Sequence, residues 1–276
     1  MPLQTIKTRG HWGSANFNDI INNLQRRYPD TMARSSDSTS PASAAGRRKT
    51  SSRSGGLPGV EEVVRILEED IIFGRLKPRE RLVEDVLMAR LAVKRHVVRQ
   101  ALAELERLGV VVRERNKGSA VRDFAPQDVE AIYDVRAVLQ RHAASLIPFP
   151  VAPDVVAELE AIHARHSQAV EAGDLRAVYR LNNEFHDALF AACGNPYLVA
   201  TISEYAWLVH AIRSYRIADP KLLRQARDEH ALMIEALRAG DRKTLMELCE
   251  QHILPSKEAY LAQERSALAS RAWSAG

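Results

Sequence analysis

From Pro126 onward the chain is cut into helix-length pieces by its own punctuation. Pro126, Pro153, Pro196 and Pro220 each stand where a first-turn proline is tolerated, because a helix leaves its first N–H groups unbonded anyway. Gly173-Asp174 and Gly240-Asp241 each pair a helix stop with an N-cap carboxylate. These signals predict six helices, near 126–147, 154–172, 174–192, 196–215, 220–239 and 241–263. Residues 125–265 are therefore expected to form an all-helical antiparallel bundle, with a short tail at 266–276.

The segment before it, 58–124, has a different pattern. Val60, Val63, Val64, Leu67 and Ile71 recur at helical spacing, and Gly74 follows as a stop. A brief helix over Glu84–Leu91 is expected next, then a turn at Ala92-Val93-Lys94 and a longer helix over Arg95–Leu108 ended by Gly109. Only then do β-branched residues cluster, at Val110, Val111, Val112 and Val121 around Asn116-Lys117-Gly118, which reads as a hairpin. Three helices closed by a hairpin describe a winged helix-turn-helix. The fold class is thus mainly α, an N-terminal winged helix-turn-helix joined to a helical bundle.

Charge is spread unevenly along the 276 residues. Residues 1–57 hold nine basic against three acidic side chains, 58–124 hold fourteen against twelve, and 125–276 hold sixteen against twenty. A basic front and an acidic back suit a polyanion-binding end joined to a domain of another kind. Met32 to Gly56 is rich in Ser, Ala, Gly and Arg without an apolar period, so 1–57 is expected to be a disordered basic tail. Two cysteines, Cys193 and Cys249, exclude a disulfide scaffold. No 18-residue apolar run and no secretory h-region is present, so the expectation is a cytoplasmic protein without a membrane partner.

The helix expected at Arg95–Leu108 is two-faced. Val98, Ala101, Leu102 and Leu105 form its core stripe, while Lys94, Arg95, His96, Arg99 and Gln100 crowd its N-terminal end. Cations there oppose the helix macrodipole, and an anionic partner removes the conflict. Recognition helices touch base edges with their N-terminal residues, arginine pairs with guanine and glutamine with adenine. Lys94, Arg95, His96, Arg99 and Gln100, with Lys117 and Gly118 of the hairpin tip, are the candidate contacts to double-stranded operator DNA. An ordinary solvated basic face is the competing reading.

The run of residues here resembles the GntR family of bacterial transcription regulators. The resemblance is carried by Gly74-Arg75-Leu76-Lys77-Pro78, Leu82-Val83-Glu84, Val93 through Leu102, Leu105 through Val110, and Lys117-Gly118-Ser119-Ala120-Val121. It implies that Arg95, Arg99 and Gly118 meet operator DNA. Two positions depart from the family pattern: Arg79 stands where glycine is usual and Lys94 where serine is usual. The second departure removes a capping hydroxyl and adds a phosphate-seeking cation.

In the bundle, polar residues fall inside apolar stripes. His230 shares a face with Leu223, Ala226, Met233, Ile234 and Leu237; His252 with Leu245, Leu248 and Cys249; Asn182 and His186 lie four apart beside Leu181, Phe185 and Leu189. Periodicity leaves two readings, separately satisfied core histidines or one shared metal. The order Asn182-x3-His186, His230, His252 resembles the metal pattern of the FCD ligand-binding domain of FadR-type GntR regulators. That resemblance implies a divalent ion, zinc first, with nickel or another ion as alternatives. By the same resemblance Arg136 is a candidate clamp for a small carboxylate effector, with a surface or interhelical ion pair as the competing reading. His210, Arg213 and Arg216 are further candidates for facing the effector pocket, with ordinary structural roles as their competing reading. His142, His163 and His166 read as helix-surface residues.

The expected function is a ligand-responsive repressor acting as a homodimer on a palindromic operator. Two competitors stay open at this level, a metal-dependent hydrolase or lyase built on the three histidines, and a structural helical oligomer.

Overall fold

The computed structural model describes residues 58–114 and 117–274. The stretch 1–57 read as a disordered tail, and the hairpin residues Arg115 and Asn116, lie outside the described residues.

The winged helix-turn-helix is built as the apolar spacing requires. Helix α1 (Val60–Ile72) leads to a two-residue strand β1 (Arg81–Leu82), then α2 (Glu84–Leu91), α3 (Arg95–Arg107), β2 (Val111–Glu114) and β3 (Gly118–Val121). Val63, Val64, Leu67 and Ile71 of α1 pack with Val98, Ala101, Leu102 and Leu105 of α3 and with Leu82, Leu87, Val111 and Val121. Each such Val, Leu or Ile side chain, taken fully out of water, stabilises the unit by roughly 1.5–3 kcal/mol. Strand order is β1-β3-β2, all antiparallel, with Val111 opposite Val121 and Leu82 opposite Ser119. The sequence reading has only the β2–β3 hairpin; β1 is too short to show a period.

Arg79 adopts φ +68, inside the left-handed region where an L side chain is crowded. This is the position where the family pattern carries glycine. Its guanidinium pairs with Asp123, and its backbone N–H donates to Val121 O at 3.0 Å, which closes β1 onto the sheet.

The bundle comprises α4 (Pro126–Leu146), α5 (Pro153–Ala172), α6 (Leu175–Ala191), α7 (Pro196–Leu208), α8 (His210–Ile217), α9 (Pro220–Ala239), α10 (Arg242–Gln251) and α11 (Leu254–Ser274). Every punctuation signal operates. Proline opens α4, α5, α7 and α9. Asp174 and Asp241 accept from the N–H groups of Ala177 and Thr244, both at 3.0 Å, and Gly173 and Gly240 take φ +66 and +71. The core is formed by Ile147, Leu159, Phe185, Leu189, Met233, Ile234, Leu237 and Leu245 with their neighbours.

Two expected helices are each broken in two. The piece at 196–215 breaks at Val209, where no glycine, proline or cap marks the break. The piece at 241–263 breaks after Gln251. Here the cause is local: Pro255 has no N–H and its ring cannot pass the carbonyl one turn back. The second half then continues through Ser274, beyond residue 265 where the domain was expected to end.

The two domains meet along α1, α6 and α8. Glu68, Glu69 and Asp70, consecutive and buried, are the acidic side of this junction. Tyr179 of α6 donates to Glu68 at 2.8 Å and contacts His210 Nε2 of α8 at 3.2 Å. Arg176 of α6 pairs with Glu69 at 2.7 Å, while Asp70 is held by Arg75 and Arg90. Gly109, at φ +75 just past α3, packs so closely that a Cβ there would sit 2.7 Å from Leu208 Cδ1.

Candidate functional site

The first candidate surface is the N-terminal end of α3. Lys94, Arg95, His96, Arg99 and Gln100 are all exposed, while Val98, Ala101, Leu102 and Leu105 face the core. The amphipathic period therefore separates a polar ridge from a packed stripe. Lys94 is the N-cap and makes no side-chain capping bond, as expected from the missing hydroxyl. Lys117 and Gly118 are exposed at the hairpin, and Gly118 has φ +81. The arginines are prealigned by acids of α2: Arg95 pairs with Glu84 at 3.3 Å and Asp85 at 2.6 Å, and Arg99 with Glu84 at 2.9 Å. Those pairs are exposed, so each is worth little on its own. They set the direction of the guanidinium groups, and sequence reasoning missed Glu84 and Asp85 in that role.

The second candidate lies inside the bundle. His186 comes from α6, His230 from α9 and His252 from the C-cap of α10. Their ring nitrogens converge: His186 Nε2 is 3.1 Å from His252 Nε2 and 3.4 Å from His230 Nε2. One ligand atom from each lies within 4.8 Å of the others. Burial holds all three imidazoles well below the usual histidine range, with neighbouring cationic groups adding to the effect. They are neutral near pH 7, the form in which imidazole binds a metal.

His252 Nδ1 meets Glu229 Oε2 at 2.6 Å, and Arg216 in turn pairs with that carboxylate at 2.9 Å. A carboxylate on one ring nitrogen fixes the tautomer and turns the lone pair of the other toward the cluster centre. The donor set thus fits a divalent ion of the zinc type. Glu229 was missed in the sequence, although it immediately precedes His230. Asn182 lies one turn before His186 and is half-buried.

Cationic side chains surround this cluster. Arg136, Arg213 and Arg216 all act electrostatically on His186 and His252. Arg136 is buried and stacks over the Tyr133 ring, its guanidinium carbon 4.8 Å from the centroid. Among the described residues its Nε has no hydrogen-bond partner, nor has Oε1 of buried Gln140 one turn along α4. Desolvation draws the Arg136 pKa down to about 10. Arg213 donates to Asn183 Oδ1 at 2.9 Å and lies over the Tyr179 ring. His210 sits at the domain junction, its ring tilted against Trp207 with centroids 4.4 Å apart and its Nδ1 3.5 Å from Glu68 Oε1.

The surface reading of two histidines is corrected. His142 is exposed, but His166 is 1% exposed and His163 is half-buried. Both turn toward His230, with ring centroids 5.1 and 6.4 Å from it. Burial holds His163 below its ordinary range and draws His166 down to about 4. The α5 sequence hid them because Leu159 and Ile162 already supply an apolar stripe.

Comparison with known proteins identifies both domains. Residues 60–121 match the model for bacterial regulatory proteins of the gntR family, and residues 131–254 match the FCD domain. The HTH-type transcriptional repressor GlaR of Escherichia coli is 31% identical over 214 residues, 69% of this chain and 90% of that protein. The HTH-type transcriptional regulator McbR of Escherichia coli is 26% identical, over 68% of this chain and 87% of its own length. The solved structure of E. coli McbR/YncC shares the fold, with a TM-score of 0.62 at 24% identity over 73% of this chain and 98% of that one. Among the described residues no helix is long and apolar enough to cross a membrane. The chain therefore belongs to the GntR family, in the FadR-type branch that joins a winged helix to an FCD domain, and is a DNA-binding transcription regulator rather than an enzyme.

Proposed function

We propose that this regulator is a homodimeric repressor that senses a small carboxylate in its helical domain beside a divalent metal, zinc first. The observation that carries this reading is the Glu229–His252 contact with three imidazole nitrogens turned to one centre, beside the buried and incompletely satisfied Arg136. A buried guanidinium with an unused N–H is costly, and a ligand carboxylate matches its fork. His186, His230 and His252 would hold the ion, with Asn182 as the fourth candidate. Such an ion, when bound, supplies positive charge to which a carboxylate oxygen binds. The names of relatives also favour repression, GlaR among them and a probable D-xylose utilization operon repressor from Paenarthrobacter nicotinovorans.

On DNA, the N-terminal end of α3 enters the major groove. Arg95 and Arg99 exchange Glu84 and Asp85 for base edges and phosphates, and Lys117 and Gly118 approach the flanking backbone. Two copies related by a twofold axis read two half-sites of a palindrome.

Helix α8 supplies the coupling. Its His210 touches Glu68 of the winged helix, Arg213 reaches Asn183, and Arg216 donates to His252 O and pairs with Glu229. A carboxylate that binds Arg136 of α4 and draws Arg213 of α8 toward itself shifts α8 and with it the seat of α1. The effector changes DNA affinity only by binding one of these arrangements more tightly than the other.

Calorimetry with zinc and then a panel of small carboxylates tests the sensing half. The expected result is zinc binding that His252→Ala weakens, and carboxylate binding that Arg136→Met abolishes. Unchanged zinc affinity in His252→Ala would contradict the site. Because the relatives are regulators, the hydrolase or lyase alternative has no support.

A further inference from the structure

The imidazole cluster is larger than the set that the proposed sensing site uses. His163 and His166 project from one side of α5, three residues apart, toward the same His230 that meets His186. One ligand atom from each of His163, His166 and His230 lies within 4.8 Å of the others, as in the His186 set. Among the described residues, both ring nitrogens of His166 lack any hydrogen-bond partner, although that residue is 1% exposed. Nδ1 of His163 and Nδ1 of His230 lack one as well.

A buried neutral imidazole carries one donor and one acceptor, and leaving both unused is unfavourable. His166 has neither a carboxylate nor a backbone carbonyl to use them. His230 is placed with Nε2 toward His186 and Nδ1 unpaired, and Phe185 stacks on its ring at 4.1 Å, which fixes the ring plane. Three convergent imidazoles with unused nitrogens are a donor set for a borderline divalent transition metal.

We propose that the bundle holds a second metal position, formed by His163, His166 and His230, which shares His230 with the His186–His230–His252 position. The two positions compete for one imidazole, so the protomer holds one ion at a time. Each position has one half-buried member, His163 in the α5 position and His186 in the other, and two buried ones. The α5 position lacks the Glu229 contact that orients His252, so it binds more weakly.

Cobalt(II) added to the full-length chelator-treated protein, with its visible absorption as readout, separates the positions. The wild type is expected to saturate at one equivalent. The pair His186→Ala/His252→Ala dismantles one position and is expected to keep one weaker cobalt equivalent. Adding His166→Ala should then weaken that residual binding by at least about tenfold. His163→Gln, at a half-exposed site, should weaken it in the same direction. Far-UV circular dichroism confirms folding, and if the alanine pair is unfolded, His186→Gln/His252→Gln replaces it. Residual cobalt binding that is absent from the pair, or indifferent to both His166→Ala and His163→Gln, would overturn the second position. Two equivalents in the wild type would overturn the competition for His230.

Discussion

The Tyr179 hydroxyl, in the helical domain, donates to the buried Glu68 carboxylate of the winged helix at 2.8 Å. Phe73 packs edge-on against the same tyrosine, with centroids 6.5 Å apart. Tyr179→Phe keeps the ring and removes one donor from a buried acid. The expected cost is about 1–3 kcal/mol in urea unfolding. Effector response should fall more than DNA affinity, because the bond lies between the domains and away from α3. Unchanged stability together with unchanged response would show that the junction does not carry the signal.

Arg99→Ala should cost on the order of 1–3 kcal/mol of specific DNA binding and relax sequence preference, since a base-reading guanidinium is lost. Lys94→Ser acts differently. It restores a capping hydroxyl, adding about 1 kcal/mol to helix stability. It also lowers the salt slope of DNA binding by about 0.9 if Lys94 neutralises one phosphate. Anisotropy titrations across salt concentration check both. An Arg99→Ala protein that discriminates operator from scrambled DNA as well as the wild type would remove Arg99 from base reading.

Arg79 places a side chain at φ +68, so Arg79→Gly relieves left-handed crowding by about 1 kcal/mol. The exposed pair with Asp123 lost in exchange is worth little. The expected thermal midpoint is equal to or above that of the wild type. Arg79→Val should lower it, because a β-branched residue tolerates that conformation least. A fall for glycine as large as for valine would contradict the backbone argument.

How far the sequence carried the fold depends on where its signals are local. Capping aspartates, first-turn prolines and helix-stop glycines fix termini by bonds within a few residues, and the helix boundaries they mark were legible. The break at Val209 was not, because it depends on the junction: His210 is turned to Glu68 and Tyr179, which are distant in sequence. The break before Pro255 carries a local signal in that proline, which the expected helix over 241–263 runs through unmarked. At the site, His186, His230 and His252 were found because each lies on a recognisable stripe. Glu229 was hidden because its role is to orient His252 across a helix interface. Glu68, Glu69 and Asp70 were hidden because burial of three consecutive acids makes sense only once Tyr179, Arg176, Arg75 and Arg90 are beside them.

The imidazole cluster predicts an acid-sensitive fold. Burial first, then neighbouring charges, holds His186, His230 and His252 well below the ordinary histidine range. The unfolded chain binds protons near pH 6.5 that the folded protein refuses, so unfolding takes up protons as pH falls. Their contribution to stability is present above about pH 6.5 and is lost as pH drops below it. Urea midpoints of metal-free protein at pH 7.5, 6.5 and 5.5 should therefore decline in that order. His230→Phe, which keeps the stacking volume, should flatten the decline. A slope unchanged by that substitution would place the acid sensitivity elsewhere.

The central claim is that one chain reads DNA with the exposed end of α3 and is switched through the arginine- and imidazole-lined interior behind it. Anisotropy of labelled duplex from the protein's own promoter region, against a scrambled duplex, with zinc-loaded protein and a panel of small carboxylates, tests it most directly. The prediction is preferential binding to the promoter duplex, altered by at least one carboxylate in the wild type and by none in Arg136→Met. Equal affinity for both duplexes, or a carboxylate effect that survives in Arg136→Met, would contradict it.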